Sequence, residues 1–391
     1  MVDFRNTKVA FERKSNRALK NTAWLFKLMN SQLLVSAGSS LTMLALRMKL
    51  PVQGAIKQTI FKQFCGGSTF EECRKTIDEL AKYEVSTILD YGAEGKEDLE
   101  AFNITVKESI QSIQFASMHP TLPVISCKVT GLCENKTLED ITILMDKGEP
   151  LGEVLKTKFD AIIRRFGQIA KEAHKNKVAI FIDAEESWIQ TAIDEVTDIM
   201  MSRYNKDYIT IYNTFQMYRH DRLEFLKKSF ERAEAGNYIL GAKLVRGAYM
   251  EKERERASKK GYPSPIQPNK AATDRDYNLA VEFCVENYDN IASCVASHNE
   301  YSTQYQIDLM EQKGLEKQTK HLNFCQLYGM SDNLTFNLAK AGYNVGKYVP
   351  YGPVADVIPY LIRRARENSS VDGEMSREFS LIQQELKRRQ T

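Results

Sequence analysis

At 391 residues, 43% of them hydrophobic and 27% charged, the chain is long enough to bury a large core without disulfide or metal staples. Its 54 basic residues against 51 acidic ones leave a net charge of +3, which argues against nucleic acid as the main partner. Seven cysteines are scattered with no CxxC pair, and Cys127, Cys294 and Cys325 fall in apolar, strand-like runs, the pattern of reduced packing thiols.

From the amino end, Arg5, Lys8, Arg13, Lys14, Arg17 and Lys20 make a basic start, but Asp3 and Glu12 interrupt it, so it matches a transit peptide poorly and a secretory signal not at all. Residues 28–46 then carry no charge, although seven of those 19 are Asn, Gln, Ser or Thr and Gly38 sits in the middle. That composition predicts a packing or membrane-surface helix rather than a span. Residues 1–63 read as an α-helical arm, and residues 64–391 as the domain that follows.

Eight β-rich runs come next, at 85–92, 123–131, 178–186, 208–216, 240–250, 291–299, 320–329 and 344–352. Spacers of helical period separate them; in residues 217–236, Leu223, Leu226 and Phe230 share a stripe that Gly236 ends. Strand–helix alternation implies parallel strands with right-handed crossovers. Eight units within 85–352 predict a (βα)8 barrel rather than an open doubly wound sheet, and no GxGxxG follows any strand. The stretch 251–269, charged and then proline-rich, reads as a long mobile loop after the fifth strand, either a lid or a solvated insertion.

Barrel active sites lie at the C-terminal ends of the strands. Here those ends carry Lys128, Asp183, Glu185, Glu186, Gln216, Lys243, Arg246, Tyr249, His298, Asn299, Gln326 and Tyr348. Each alone is explained by a satisfied structural contact. Together they predict a pocket for a large polar ligand, since buried charge without a partner is costly. The five histidines are dispersed, with neither HxH nor HExxH, so no metal site is expected, and neither a GxSxG elbow nor a P-loop occurs.

In residues 353–370, Asp356 is expected to cap a helix with Pro359 in its first turn. Val357, Ile358, Leu361, Ile362 and Ala365 form one apolar stripe, and Tyr360, Arg363, Arg364 and Glu367 a second. Two arginines beside a tyrosine can clamp a carboxylate through guanidinium forks; a solvated Arg–Glu face is the alternative.

AKLVRGAYMEKE (242–253), HLNFCQLYGM (321–330) and above all KYVPYGPVADVIPYLIRRARENSS (347–370), with STILDYGAE (86–94) and FIDAEE (181–186), resemble the proline dehydrogenase family, in its stand-alone, mitochondrial-type form. The resemblance implies a distorted barrel with its last helix over the mouth, noncovalent FAD, and oxidation of L-proline to Δ1-pyrroline-5-carboxylate. It places Arg363, Arg364 and Lys128 on the substrate carboxylate, Tyr348 and Tyr360 along the ring, Leu327 beneath it, Tyr249 closing the pocket and Asp183 as a carboxylate in the site. It assigns Gln216, Lys243, Arg246, Gly247, Ala248, His298, Asn299, Gln326, Arg364 and Glu367 to the flavin; Lys243 stands where the family usually has arginine. It further implies electron delivery to a membrane quinone, a downstream pyrroline-5-carboxylate dehydrogenase, and a place in the cytoplasm or on the matrix side, peripheral to the inner membrane. Hydroxyproline dehydrogenase is the alternative within the family, disfavoured by Tyr348, and a noncatalytic barrel-shaped binding protein is the alternative outside it.

Overall fold

The computed structural model describes residues 2–29, 31, 33, 35–36, 38, 41, 48, 53–92, 98–370 and 374–390, with backbone only for 366–370 and 374–376. All eight expected strands form, each shorter than its apolar run: Ser86–Tyr91 (β1), Val124–Cys127 (β2), Ala179–Ile182 (β3), Ile211–Gln216 (β4), Leu240–Val245 (β5), Ile291–Ala296 (β6), Leu322–Leu327 (β7) and Val345–Tyr351 (β8). They close a parallel barrel in the order β1 to β8. Strands covered on both faces read as near-continuous buried runs: every residue of β4 and of β8 is buried, including Thr214, Gln216 and Lys347.

The chain divides into two compact units. Residues 95–297 and 301–324 hold β2 to β6 and their helices. Parallel register sets Lys243 of β5 opposite Thr214 on β4 and Cys294 on β6. The helices here follow amphipathic periods. Along Glu153–Asn176, Phe159, Ile162, Phe166, Ile169 and Ala173 are buried at helical spacing, and Lys177 ends the helix in the left-handed region with φ 55°. The Asn269 side chain caps Lys270–Glu286 by accepting from the Ala272 N–H at 2.9 Å.

Residues 1–94, 298–300 and 325–391 form the other unit. It pairs β1 with β8, from Ser86 opposite Gly346 to Tyr91 opposite Tyr351. Its N-terminal residues are helical, as expected, at Thr7–Phe11, Asn16–Met29 and 53–64, the last containing a π-turn at Lys57–Phe61. Phe11, Leu19, Phe26 and Phe64 are buried in one apolar core with Val357, Leu361 and Ile382 of the last two helices, Val354–Ser370 and Glu374–Arg388. Among the described residues, no helix is long and apolar enough to cross a membrane. Most of the uncharged stretch 28–46 lies outside the described residues.

Two local expectations are corrected. The charged part of 251–269 is not loop but the helix Met250–Lys260, ended by Gly261 in the left-handed region at φ 71°. Its Glu, Lys and Arg residues are good helix formers, and the Glu255–Lys259 pair at i,i+4 adds support. Only the proline-bearing remainder, 261–269, connects it to the next helix. The 354–370 helix begins before Asp356, which falls in its first turn instead of capping it, and Pro359 lies inside the helix.

Candidate active site

In the unit that holds β2 to β6, Asp183 follows β3 directly and receives two lysines. Lys243 of β5 donates at 2.5 Å and Lys128, just past β2, at 3.3 Å. The Lys243 ammonium also lies 5.2 Å from the centre of the Phe181 ring. These three side chains alone sum to one positive charge, held with little exposure just past β2 and β3 and within β5. Two residues further on, Glu185 is buried, which pushes its carboxyl up to about 7; Lys128 and the Thr130 hydroxyl, which donates at 2.8 Å, oppose that rise. Gln216, the last residue of β4, donates to the Glu185 carbonyl at 2.6 Å, so its amide fixes the chain after β3.

Past β5, Arg246 is braced on all sides. It donates to Asp274 at 2.8 Å, Ser297 at 2.8 Å and Ser302 at 2.9 Å, and lies 4.3 Å over the Tyr277 ring. Gly247 must be glycine: its φ is +131°, and a Cβ there would meet the Tyr218 ring at 2.5 Å. Gly247 and Ala248 leave an exposed stretch of bare backbone, and Tyr249 begins the next helix.

In the other unit, Lys347 of β8 is fully buried. It donates to the carbonyls of Leu327 at 3.3 Å and Met330, and pairs with Asp332 at 3.1 Å. The Tyr328 N–H donates to the Tyr348 carbonyl at 2.8 Å. Leu327 and Tyr348 are thereby locked to one another through their neighbours. Gln326, 1% exposed, accepts from the Thr335 hydroxyl at 2.8 Å. His298 Nδ1 meets the Ser331 hydroxyl at 2.8 Å, while Asn299 is half-buried between it and Glu300, which pairs with Arg377. On the 354–370 helix, Tyr360 and Arg364 are both buried, with the guanidinium 5.3 Å from the ring centre, and Arg363 is half-buried. The Glu367 side chain lies outside the described residues. The opposite stripe of this helix walls a mostly apolar cavity of about 340 Å³ with Leu28, Met29, Ile56 and Ile60.

Sequence reasoning did not single out Asp332, Lys347, Glu378 or Glu253, and it read Arg13 and Lys14 only as part of a basic start. Only Lys347 leaves a local signal, as a lone charge inside an otherwise apolar strand, where burial demands a partner.

A closed parallel barrel whose strand ends carry paired charges and amides defines the chain as a (βα)8 barrel protein with a polar site. A sequence profile of proline dehydrogenase matches residues 73–377, and the chain belongs to the proline dehydrogenase family. Mitochondrial proline dehydrogenase 1 of Dictyostelium discoideum is 34% identical over 379 residues, covering 87% of this chain and 66% of that protein. A hydroxyproline dehydrogenase of Xenopus laevis is 31% identical, covering 85% of this chain and 78% of that one. A crystal structure of proline utilization A from Bdellovibrio bacteriovorus superposes with a TM-score of 0.73 at 20% identity, over 95% of this chain and 39% of that one, a likeness of fold. The chain spans less than two thirds of the length of the first curated relatives it matches.

Proposed function

We propose that this chain is a flavin-dependent proline dehydrogenase, which oxidises L-proline to Δ1-pyrroline-5-carboxylate and passes electrons to a membrane quinone. The observation that carries the reading is the cluster in which Lys128 and Lys243 converge on Asp183 at the ends of β2, β5 and β3, in a chain that belongs to this family. The residues fit FAD by their chemistry. Gly247 and Ala248 present bare backbone that a flat ring system can approach, and Arg246, Gln216, Gln326 and His298 are held in place by named partners.

When bound, the flavin supplies the two-electron acceptor for the hydride leaving C5 of proline. The chain supplies binding and orientation. Arg363 and Arg364 take the substrate carboxylate through their guanidinium forks. Tyr348, Tyr360 and Leu327 confine the ring; the backbone lock on Leu327 and Tyr348 makes that wall rigid. Lys243, held on Asp183, places a fixed positive charge that favours negative charge developing on the acceptor. Tyr348, which is buried and assigned to the wall along the ring, favours proline over its 4-hydroxylated form.

Anaerobic addition of L-proline to the purified protein tests the reading. A yellow protein that bleaches, and that releases free FAD into the supernatant on heating or acidification, is expected. Absence of flavin, or flavin that proline leaves oxidised, would identify a noncatalytic binding protein. Faster bleaching by hydroxyproline would reassign the substrate.

A further inference from the structure

A fully buried carboxylate joins the segment after β5 to the segment after β3. Glu253 lies in the first turn of the Met250–Lys260 helix with 0% exposure. Its two oxygens accept from the Ser187 backbone N–H at 2.6 Å and from the Ser187 hydroxyl at 2.7 Å. Ser187 opens the Ser187–Tyr204 helix, whose preceding residue Glu186 makes no side-chain cap. Glu253 therefore caps that helix from another element, with its negative charge on the positive end of the helix dipole.

Neighbouring contacts reinforce this junction. Lys252 pairs with Glu186 at 2.8 Å, and Arg256 lies 4.3 Å over the Trp188 ring and pairs with Glu139. The Glu253 N–H donates to the Tyr249 carbonyl at 2.9 Å, so Tyr249 moves with Glu253 as one helical turn. Between β5 and this helix, the chain passes through Gly247 at φ +131° and the exposed Ala248, a link that does not by itself fix the direction of the helix.

We propose that Glu253 is a positioning residue: by capping the Ser187 helix end, it fixes Tyr249 relative to Asp183 and Lys243 and thereby sets the affinity for proline. This rests on the proline dehydrogenase reading and on the assignment of Tyr249 to the substrate pocket. The Glu253 contacts explain why a segment so rich in charge is held as a helix, and they assign a function to a buried acid that the chemistry itself does not use.

The test uses the flavin-loaded enzyme with Trp24→Phe, which leaves Trp188 as the sole tryptophan of the two in the chain. Bleaching by proline is established in this parent first, so failure of the function and failure of the proposal are separate results. Glu253→Ala is expected to raise the proline KM by about tenfold, the scale of one charge-assisted hydrogen bond, and to shift Trp188 emission, with kcat and flavin content near parental. Ser187→Ala keeps the backbone N–H bond, so it keeps the fold and raises KM by about threefold. Because Glu253 acts through Tyr249, Ser187→Ala adds nothing further to KM in a Tyr249→Ala background. Additive losses in that pair, or shifted Trp188 emission with an unchanged KM, would overturn the proposal.

Discussion

Arg13 and Asp332, 319 positions apart, form a 3.0 Å ion pair in which the Asp332 side chain has no exposed surface. Lys14 at 3.0 Å and Lys347 at 3.1 Å complete a shell of three cations around that one carboxylate. Burial alone would raise the Asp332 carboxyl; Lys14, Arg13 and Lys347 hold it well below the usual carboxylate range. Arg389 fastens the same N-terminal segment, donating to the carbonyls of Phe11 at 2.8 Å and Lys14 at 2.6 Å. The N-terminal helices are thus part of the fold, tied to the loop that carries Lys347's other partners, Leu327 and Met330.

Arg13→Met should therefore destabilise the protein by about 3–5 kcal/mol, the cost of stranding one member of a buried ion pair. Lys8→Ala, on the exposed face of the first helix, should change stability by less than about 0.5 kcal/mol. Urea unfolding measures both, and equal small effects would refute the structural role of Arg13.

Stability should depend on pH through two buried acids. Burial, and then repulsion by Asp332, push Glu378 up to about 7 from its ordinary 4.5; the Ser331 N–H at 2.9 Å, Lys347 and Lys14 oppose the rise. Glu185 reaches about 7 mainly through burial. Between pH 4.5 and 7 the native state keeps protons that the unfolded chain has lost, so stability falls as pH rises through that window, by at most roughly 3 kcal/mol per group. Glu378→Gln should flatten the slope measured by denaturation from pH 5 to 7; an unchanged slope would remove Glu378 from this account.

The carboxylate clamp gives the most specific kinetic expectation. Arg363→Met should raise the proline KM about ten- to a hundredfold, with flavin content near normal. Arg364→Met should lose proline affinity and some FAD as well, because Arg364 is buried on Tyr360 and assigned to both ligands. Lysine should rescue either position only in part, since an ammonium lacks the guanidinium fork. Pyrrolidine, which has no carboxylate, should be a poor substrate for the parent and lose little more in the variants. Equal losses on proline and pyrrolidine would show that the arginines do not read the carboxylate.

Membrane contact can be tested without removing the arm. Trp24, Leu33 and Leu41 are exposed at 58%, 83% and 65%. Reversible, salt-sensitive flotation with anionic liposomes is expected for the parent. Trp24→Ser with Leu33→Ser should weaken it while Arg13 and Lys14 still hold the fold, and undiminished flotation would place the contact elsewhere.

The sequence by itself determined the barrel, because its signals are local: eight apolar runs long enough for buried strands, each followed by a helical period. It also marked Lys128, Asp183, Lys243 and Gln216, since a charge or amide ending an apolar strand must find a partner. It misjudged residues 251–260, where dense charge resembles a solvated loop unless the burial of Glu253 is known. Only the tertiary structure decided that Lys128 and Lys243 share one carboxylate, since that pairing depends on strand register and packing across 60 residues of chain. The meeting of Arg13 with Asp332 and the cap that Glu253 lends Ser187 were decided in the same way. Such pairs leave no period or spacing in the sequence, because their energy comes from burial that exists only once distant segments have come together.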